Sequence, residues 1–516
     1  MVERPERARH GRPGLGGTAR RRRVLVGGTA VAVVAASAFA LSARATETAP
    51  PPAPAAPPAA ATPATVGVQA WLWPGPKGST TCSAPAEYAD GRLKHGVLKP
   101  EYFTIDTTGR PVLLDASDPD YACNGYSPAN AAHVKAHSSR QFVTVSLAQL
   151  VSERRLTGDP AKRAAAVKRL ADFTEQVDFN GVDVDFENYW AWSAQDAANF
   201  YTFIGDLAKG LHARGLKLQV EGPPDITTRF DYGKALAVGA DEVVMMAYDL
   251  QYQSPVGDTC LPFAPYDWTT HLLKGALAQI PADRRHRFVA GLPSEAYTAS
   301  DRCQTIKGNQ TIADMREAPG FSTDPKVVES RRDPNSGEVR WRAGGKFYDY
   351  VDQRGLDAKL KLARDLGAVN VSVWALGGDN AWFSPGALAG KGALVSKASQ
   401  RCLNAPSAGD RTRMEVRDCD RTSGQVFRPA ADGSLRVLGK CVDAAGRKTT
   451  PGTPVILFAC NGGTNQQWRL HPDGKVGGVQ SGLCLDVVGG EVAAPNGTRL
   501  ELQKCTGTAD QIWTAA

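Results

Sequence analysis

The chain has 516 residues, of which 42% are hydrophobic and 22% are charged, and its formal net charge is +7. This length allows two or three domains with full cores, and the composition excludes a chain that is mainly membrane-embedded or disordered. Residues 1–45 contain nine Arg and two Glu, so the rest of the chain is formally neutral. The charge therefore gives no support for nucleic-acid binding.

The first 45 residues have the pattern of a secretory signal peptide. Arg20–Arg23 precede an apolar run from Val24 to Leu41, and a small-x-small cleavage site follows at Ala43–Ala45. The arginines also fit twin-arginine export, so the export route stays open. An uncleaved membrane anchor is the alternative, but the Gly, Ala and Ser content of the run favours cleavage. We expect a secreted protein, extracellular or associated with the cell wall, without membrane contact after cleavage.

Residues 46–65 are rich in Pro and Ala and almost uncharged, which predicts an extended linker. The chain has ten Cys but no Cys-x-x-Cys pair, and only eight His. This pattern favours disulfides in an oxidising compartment over a zinc site. We expect no metal or other cofactor.

Between Val66 and about residue 390, short apolar runs alternate with helical patterns. A Ser193-x-x-Asp196 capping box opens one helix, and Gly367 ends the last. The alternation favours a TIM (β/α)₈ barrel over residues 66–395, because no glycine-rich phosphate loop follows the first strand as a doubly wound sheet would require. The predicted strands are Val66–Trp73, Tyr102–Ile105, Gln141–Ser146, Gly181–Phe186, Lys217–Glu221, Glu242–Tyr248, Arg287–Leu292 and Val369–Trp374.

Residues 398–516 differ in character, since helical patterns vanish and a repeat of about 40 residues appears. Gly439–Asp443 is repeated at Gly482–Asp486, and Gln466-Gln467-Trp468 at Gln511-Ile512-Trp513, while a weaker copy includes Arg401–Asn404. Each copy encloses two Cys. Three copies of one all-β unit predict a domain whose core the copies share.

The stretch Phe179–Glu187 carries the strongest functional signal. Asp183, Asp185 and Glu187 are spaced by two, so on a strand they share one face. Such carboxylates lie roughly 6.5–7 Å apart along the backbone, and crowding raises the pKa of at least one. Acid-catalysed cleavage of an acetal can use one protonated and one ionised carboxyl group. A solvated strand edge or a calcium loop fits less well, because the alternate residues are apolar and the EF-hand spacing is absent.

This stretch resembles the signature Asp-Gly-x-Asp-x-Asp-x-Glu of glycoside hydrolase family 18, the chitinases and related endo-N-acetylglucosaminidases, over residues 66–385. Met246–Asp249 is similar to the family's Met-x-Tyr-Asp on the sixth strand, and Trp374 to the Trp that ends the eighth. Ala264–Trp268, Gly291–Pro293 and Tyr297 resemble the branch that includes spore-cortex enzymes.

The resemblance implies a retaining, substrate-assisted mechanism on β-1,4-linked N-acetylglucosamine polysaccharide. Glu187 would be the general acid/base, Asp185 would orient the 2-acetamido group, and Asp183 would tune Asp185. Tyr248 would bind the acetamide oxygen. The expected substrate contacts are Asp249, Trp374, Trp71 and Tyr297.

Of two departures from the family pattern, the one on the third strand leaves the substrate open between chitin, peptidoglycan and an N-glycan core, whereas Asn180 precedes the catalytic face and is expected to have no consequence. Asn180 replaces the first Asp of the signature, and Thr144–Ala148 lacks the family's Ser-x-Gly-Gly on the third strand. Endo or exo action is equally open. The rival hypotheses are an inactive chitinase-like lectin and a wall protein that binds peptidoglycan. The acid, both Asp and Tyr248 are all present, which favours an enzyme.

The C-terminal repeats resemble the ricin B-type lectin β-trefoil, in which each Gln-x-Trp is mainly structural. That resemblance implies one sugar site, in the middle repeat, formed by Asp443, Phe458, Asn465 and Gln466. The third repeat has Gln503 in place of the aromatic residue. A trefoil that only packs on the barrel is the alternative.

The trefoil alignment implies one disulfide within each repeat: Cys402–Cys419, Cys441–Cys460 and Cys484–Cys505. The remaining cysteines would then pair as Cys82–Cys123 and Cys260–Cys303, although spacing alone does not decide connectivity. We expect a monomer whose partner is a polysaccharide, such as chitin, peptidoglycan or a related glycan.

Overall fold

The computed structural model describes residues 67–256, 259–384, 386–390, 392–490 and 493–516. The predicted signal peptide, the linker and Val66 lie outside these residues. Within them, no helix combines the length and the apolarity that crossing a membrane requires.

Eight parallel strands form a closed barrel, in which each strand pairs with the next and the eighth pairs with the first. All eight overlap the predicted strands, so the TIM barrel is confirmed. The second begins at Val97, earlier than predicted. Lys99 and Pro100 interrupt the apolar pattern in the sequence, yet both are buried within the strand. In chain order the strands are β1 Gly67–Leu72, β2 Val97–Ile105, β3 Arg140–Leu147, β4 Gly181–Phe186, β5 Lys217–Gly222, β6 Glu242–Met246, β7 Phe288–Pro293 and β8 Asn370–Trp374.

Helices follow the strands, and their ends obey local chemistry. Ser193 and Asp196 form the predicted capping box at the start of helix Ala194–His212. Gly367, with φ of 96°, follows helix Gln353–Asp365 in the left-handed region that favours glycine. The helices are Ala84–Tyr88, Pro128–Ala136, Leu150–Thr157, Pro160–Gln176, Ala194–His212, Tyr232–Ala237, Tyr266–Gln279, Ile312–Arg316, Pro325–Ser330 and Gln353–Asp365.

Strand β4 shows how the barrel separates apolar from polar side chains. Phe186 stacks on Phe203 of helix Ala194–His212, with ring centroids 5.7 Å apart. Because side chains alternate along a strand, Asp183 and Asp185 point the other way, into the barrel. Both are buried, at 0% and 4% exposure.

A four-stranded antiparallel sheet is inserted between β7 and β8, and the sequence did not predict it. It consists of Ala296–Ser300, Ile306–Gln310, Val339–Ala343 and Lys346–Tyr350. It has an apolar core of its own, which includes Trp341 and Tyr350. A short strand, Pro111–Leu113, also pairs antiparallel with β2.

The C-terminal domain is all-β, with a core that the three repeats share. Phe427, Trp468 and Trp513, the aromatic residues of the Gln-x-aromatic repeats, are all in this core. Leu394–Ser396 pairs with the last strand, so the sheet begins at Leu394. The strands are Leu394–Ser396, Cys402–Asn404, Thr412–Arg413, Glu415–Arg417, Arg428–Pro429, Leu435–Val437, Lys440–Ala444, Thr453–Phe458, Trp468–Leu470, Val476–Gly478, Cys484–Val487, Leu500–Gln503 and Trp513–Ala515.

All ten cysteines are paired, and the five predicted disulfides are confirmed. Three of them join the ends of a hairpin within one repeat of the C-terminal domain. The other two join loops of the barrel domain. Five disulfides are compatible with secretion into an oxidising compartment.

Two arginines hold the segment that connects the domains. Arg364, from the last barrel helix, donates to the carbonyls of Ala387 and Ala389, and Arg421, from the first repeat, donates to those of Leu388 and Ala389. Burial, together with the neighbouring Arg364, lowers the pKa of Arg421 to about 10. A cleft of about 1150 Å³ beside this segment is lined by both domains and does not include the acidic residues of β4.

Candidate active site

The three acidic residues of the motif lie where β4 ends. Asp183 and Asp185 are inside the barrel and pair in register with Thr144 and Ser146 of β3. Glu187 follows the strand, is half-buried, and its backbone N–H donates to the Leu147 carbonyl at 2.9 Å. The carboxyl ends of barrel strands are where TIM-barrel enzymes place their catalytic groups.

Asp183 is fixed by donors from the adjacent strand β3 and from β1 across the barrel. The Thr144 hydroxyl donates to its Oδ2 at 3.0 Å, and the Trp71 indole N–H donates to the same atom at 3.2 Å. Trp71 is only 2% exposed. The structure therefore places Trp71 against Asp183, where its indole N–H holds that carboxyl group.

Asn180, which departs from the family signature, has a local structural role. Its side-chain carbonyl accepts from the Gln141 N–H at 2.8 Å, and its own N–H donates to the Gln141 carbonyl. This pairing aligns the first residues of β3 and β4. The Asn does not contact the catalytic end of the strand.

Two tyrosines lie close to the acidic residues. Burial, and after it the charges of Asp185, Glu187 and Glu221, raise the pKa of Tyr189 well above its usual range. The pKa of Tyr248 is also raised well above its usual range, first by burial and then by the charges of Glu221, Asp249, Asp185 and Glu187. Both hydroxyls stay protonated, and that of Tyr189 donates to the Glu221 backbone carbonyl at 3.1 Å. The sequence singled out Tyr248 but missed Tyr189, whose position two residues after the acid was the available signal.

Asp249 and Trp374 lie at the ends of β6 and β8. Asp249 has φ of 80° and accepts from the Gln251 amide at 3.1 Å. Trp374 is 8% exposed, and its ring meets Trp71 edge-on at 5.8 Å. Trp374 thus covers the residue that holds Asp183.

Tyr297 is the one expected substrate contact that the structure separates from the acidic residues. It lies in the inserted sheet, is fully buried, and donates to the Leu261 carbonyl at 2.6 Å. Its ring packs against Phe263 and Phe347. This environment is that of a packing residue, so we leave Tyr297 out of the proposed substrate contacts.

Two charged residues inside the barrel were missed by sequence reasoning. The Lys99 ammonium of β2 donates to Glu221 Oε1 of β5 at 2.9 Å and lies 3.7 Å from Asp183 Oδ2. Both side chains are completely buried. A charged residue within a predicted barrel strand was the signal, but its partner on a distant strand could not be read from the sequence.

In the C-terminal domain, the predicted polar set of the middle repeat comes together. The amides of Asn465 and Gln466 both donate to Asp443 Oδ2, each at 2.8 Å. Phe458 is half-buried, and its cross-strand partner is Cys441, two residues before Asp443. Phe458 and Asp443 therefore share one face of the hairpin.

The corresponding aspartate of the third repeat has a less favourable environment. Burial and the neighbouring Asp510 raise the pKa of Asp486 to about 6, against the lowering effect of Gln511. Around Asp443, burial also raises the pKa, but Arg447 opposes it along with the two amides. The first repeat has Asn404, which donates to Glu415. The middle repeat thus has the complete set.

Comparison with known protein families agrees with both domains. Residues 145–379 match the model of glycosyl hydrolases family 18, and residues 390–514 match that of the ricin-type beta-trefoil lectin domain. The barrel is a family 18 glycosidase domain joined to a ricin-type carbohydrate-binding domain. The family resemblance, the fold class and the assignment of the barrel as a glycosidase domain are confirmed.

Curated relatives of this glycosidase match only short parts of it. The chain is 40% identical over 84 residues to "Probable lipoprotein EnvE" of Salmonella typhimurium, covering 16% of this chain and 47% of that one. It is 35% identical over 123 residues to "Serine protease 1" of Rarobacter faecitabidus, covering 23% and 22%. The chain therefore spans less than half of the length of either relative.

Solved structures also match part of the chain, at low identity. A chitinase from Chromobacterium violaceum is 21% identical, with a TM-score of 0.46, and the match covers 61% of this chain and 95% of that one. The spore cortex-lytic enzyme SleL of Bacillus cereus is 15% identical, with a TM-score of 0.47, covering 60% and 71%.

Proposed function

We propose that this glycosidase is secreted and cleaves β-1,4-linked N-acetylglucosamine polysaccharide with Glu187 as general acid/base, by a retaining, substrate-assisted mechanism. The observation that carries the proposal is the arrangement at the end of β4. Asp183 and Asp185 are buried on β4, and the half-buried Glu187 follows them. The protonated Tyr189 and Tyr248 lie beside these acidic residues. This set can donate one proton and hold one positive charge.

In the proposed reaction, Glu187 donates its proton to the glycosidic oxygen. The acetamido carbonyl of the same sugar attacks the anomeric carbon, so an oxazolinium ion forms and the leaving chain departs. Asp185 holds the acetamide N–H and balances the positive charge, while Tyr248 donates to the acetamide oxygen. Glu187 then removes a proton from water, which opens the ring with retention of configuration. Asp249 and Trp374 would bind the sugar.

Asp183 would act through Asp185 and not on the sugar. Its Oδ2 already accepts from Trp71 and Thr144 and lies near Lys99. A carboxylate held in this way keeps a fixed charge below Asp185. Trp71 therefore enters the proposal as a residue that holds Asp183.

Glu187→Gln tests the assignment of the acid. We expect a loss of 10²–10⁴-fold in kcat on chitin oligosaccharides, because general acid–base groups contribute about that much. The matched control is Glu317→Gln, at an exposed residue. Release of reducing ends is the measurement, and a loss below about tenfold would exclude Glu187 as the acid.

The stereochemistry tests the substrate-assisted step independently. Early products should be the β-anomer, and a thiazoline analogue of the oxazolinium ion should inhibit. Proton NMR of products formed within the first minutes measures the anomer. An α-anomer would exclude substrate assistance.

The substrate itself is decided by comparing chitin oligosaccharides with purified peptidoglycan. Activity on peptidoglycan alone would make the chain a wall hydrolase. Binding without cleavage of either polymer would favour the inactive lectin.

A further inference from the structure

A polar column runs through the barrel below the catalytic acidic residues. Lys99 Nζ donates to Glu221 Oε1 at 2.9 Å and to Gln219 Oε1 at 3.0 Å, and it lies 3.2 Å from the centre of the Trp71 ring. Gln219 in turn donates to Gln69 and Glu242. Lys99, Glu221 and Gln219 are completely buried. A charge placed this deep must be balanced by its neighbours.

The carboxyl groups of Glu221 and Asp183 lie against the same two donors, the Trp71 indole N–H and the Lys99 ammonium. The Trp71 indole N–H bridges them, at 2.9 Å from Glu221 Oε1 and 3.2 Å from Asp183 Oδ2. Asp183 Oδ1 and Glu221 Oε2 are buried and accept from no donor group of the described residues. Two buried carboxyl groups crowded onto the same donors favour retention of one proton, because two adjacent anions repel each other.

We propose that Lys99 and Glu221 are positioning residues for the hydrolysis: Glu221 holds the proton shared with Asp183, and the Lys99 ammonium balances the negative charge that remains on Asp183. The trio of Lys99, Glu221 and Asp183 is then neutral as a whole. Asp183 is left ionised in a fixed orientation, two residues before Asp185 on the same face of β4. The catalytic consequence rests on the proposed function, whereas the charge arrangement does not.

The surrounding charges support this distribution of protons. Burial, above all, and the charges of Asp183 and Asp185 raise the pKa of Glu221 well above its usual range, against the lowering effect of Lys99. Lys99 is the one cation that the structure places on Glu221 within the described residues. The titratable groups around the trio are Glu101 on β2, Asp185 and Glu187 on and after β4, Glu242 and Tyr248 on and after β6, Tyr189 in the loop after β4, and Tyr232 in the helix after β5.

The pH profile of kcat/KM on chitin oligosaccharides tests the catalytic consequence. Lys99→Met should move the acid limb upward by at least about one pH unit, because a carboxyl group that loses an adjacent cation binds its proton more tightly. Glu221→Gln should leave the acid limb within about 0.3 pH unit, since its amide can both donate to Asp183 and accept from Lys99, as a protonated carboxyl group does. If the acid limb of the kcat/KM profile does not shift in Lys99→Met, the proposal is overturned. If the acid limb shifts in Glu221→Gln, Glu221 is ionised in the wild type. That result would overturn the placement of the proton on Glu221.

Thermal unfolding between pH 5 and pH 8 tests the charge arrangement without any substrate. Lys99→Met should lose more stability at pH 8 than at pH 5, since the pair left without its cation has a raised folded pKa and must ionise while buried. Glu221→Gln should gain stability relative to the wild type as pH rises, because it removes a carboxyl group whose folded pKa is raised. Equal losses at both pH values would overturn the proposal.

Two further variants keep these tests decisive. Lys346→Met, at an exposed residue, is the matched control and should show no pH-dependent change in stability. Lys99→Gln carries the same predictions with a polar side chain if methionine prevents folding. A wild type that cleaves no N-acetylglucosamine glycan would refute the proposed function, while the unfolding experiment would still decide the charge arrangement. An active wild type whose Lys99→Met variant keeps its profile would refute this inference alone.

Discussion

At the scale of single residues, Glu153 is a buried carboxyl group behind the loop that carries Glu187. It lies in helix Leu150–Thr157 and is 1% exposed. Burial raises its pKa to about 7, although the side chains of Trp192 and Asn188 act in the opposite direction. Asn188 directly follows Glu187. The loop that carries Glu187 therefore lies near a carboxyl group whose pKa burial raises to about 7.

We expect Glu153→Gln to become more stable than the wild type as pH rises from about 4.5 to 7. The folded pKa is above the unfolded one, so the wild type loses stability across this window as the buried group ionises. A shift of this size corresponds to about 3 kcal/mol in the free energy of unfolding above pH 7. Thermal or urea unfolding at several pH values measures it, with Glu317→Gln as the exposed control. A difference that does not change with pH would contradict the assignment.

At the scale of elements, the capping box shows how a short motif fixes the start of a helix beside the active site. Ser193 Oγ accepts from the Asp196 N–H at 3.1 Å, and Asp196 Oδ2 accepts from the Ser193 N–H at 2.8 Å. Arg154 also binds Asp196 with two hydrogen bonds of 2.8 Å, and it holds the pKa of that carboxyl well below its usual range. The cap thus joins helix Ala194–His212 to helix Leu150–Thr157.

Ser193→Ala should lower the free energy of unfolding by about 1 kcal/mol, because one N–H at the helix start loses its acceptor. Chemical denaturation measures the change. Ser330→Ala, at the exposed end of helix Pro325–Ser330, is the control and should change stability by less than about 0.5 kcal/mol. A smaller loss in Ser193→Ala than in the control would show that Asp196 and Arg154 hold the helix start without the serine.

At the scale of the whole molecule, the chain combines a barrel whose proposed catalytic groups lie inside it with a C-terminal domain whose proposed sugar site lies on one hairpin. The middle repeat presents Phe458 and Asp443 on one face, and Asn465 and Gln466 complete the polar set. An aromatic ring with polar groups beside it is suited to a sugar. Two glycan sites on one chain would act together on a polymer and separately on short substrates.

Phe458→Ala should therefore weaken binding to insoluble polysaccharide at least tenfold, since truncating a central aromatic residue costs on the order of 2 kcal/mol. Turnover of short soluble substrates should stay nearly unchanged, because the barrel is not altered. Pull-down with chitin, xylan, galactosides and cell-wall fragments measures binding. Gln503→Ala, at the matching position of the third repeat, is the control. If the wild type binds none of these polymers, or Phe458→Ala binds equally well, the middle repeat is not a sugar site.

The sequence by itself determined the features that depend on neighbours along the chain. Alternation on β4 put Asp183 and Asp185 on one face, the capping box and Gly367 marked helix ends, and the repeats placed three disulfides. These follow from strand and helix periodicity and from turn chemistry, which act over a few residues. The eight barrel strands were found for the same reason.

The tertiary structure alone decided which residues meet across the barrel. Trp71 and Lys99 reach Glu221 from strands 150 and 122 residues away, and only closure of the barrel brings these side chains together. Trp71, expected at the substrate, therefore became a donor to Asp183. Tyr297 became a packing residue because it belongs to the inserted sheet, where its ring packs against Phe263 and Phe347. These roles depend on burial and on charge interactions between distant strands. Both are properties of the folded chain, and neither produces a periodic pattern in the sequence.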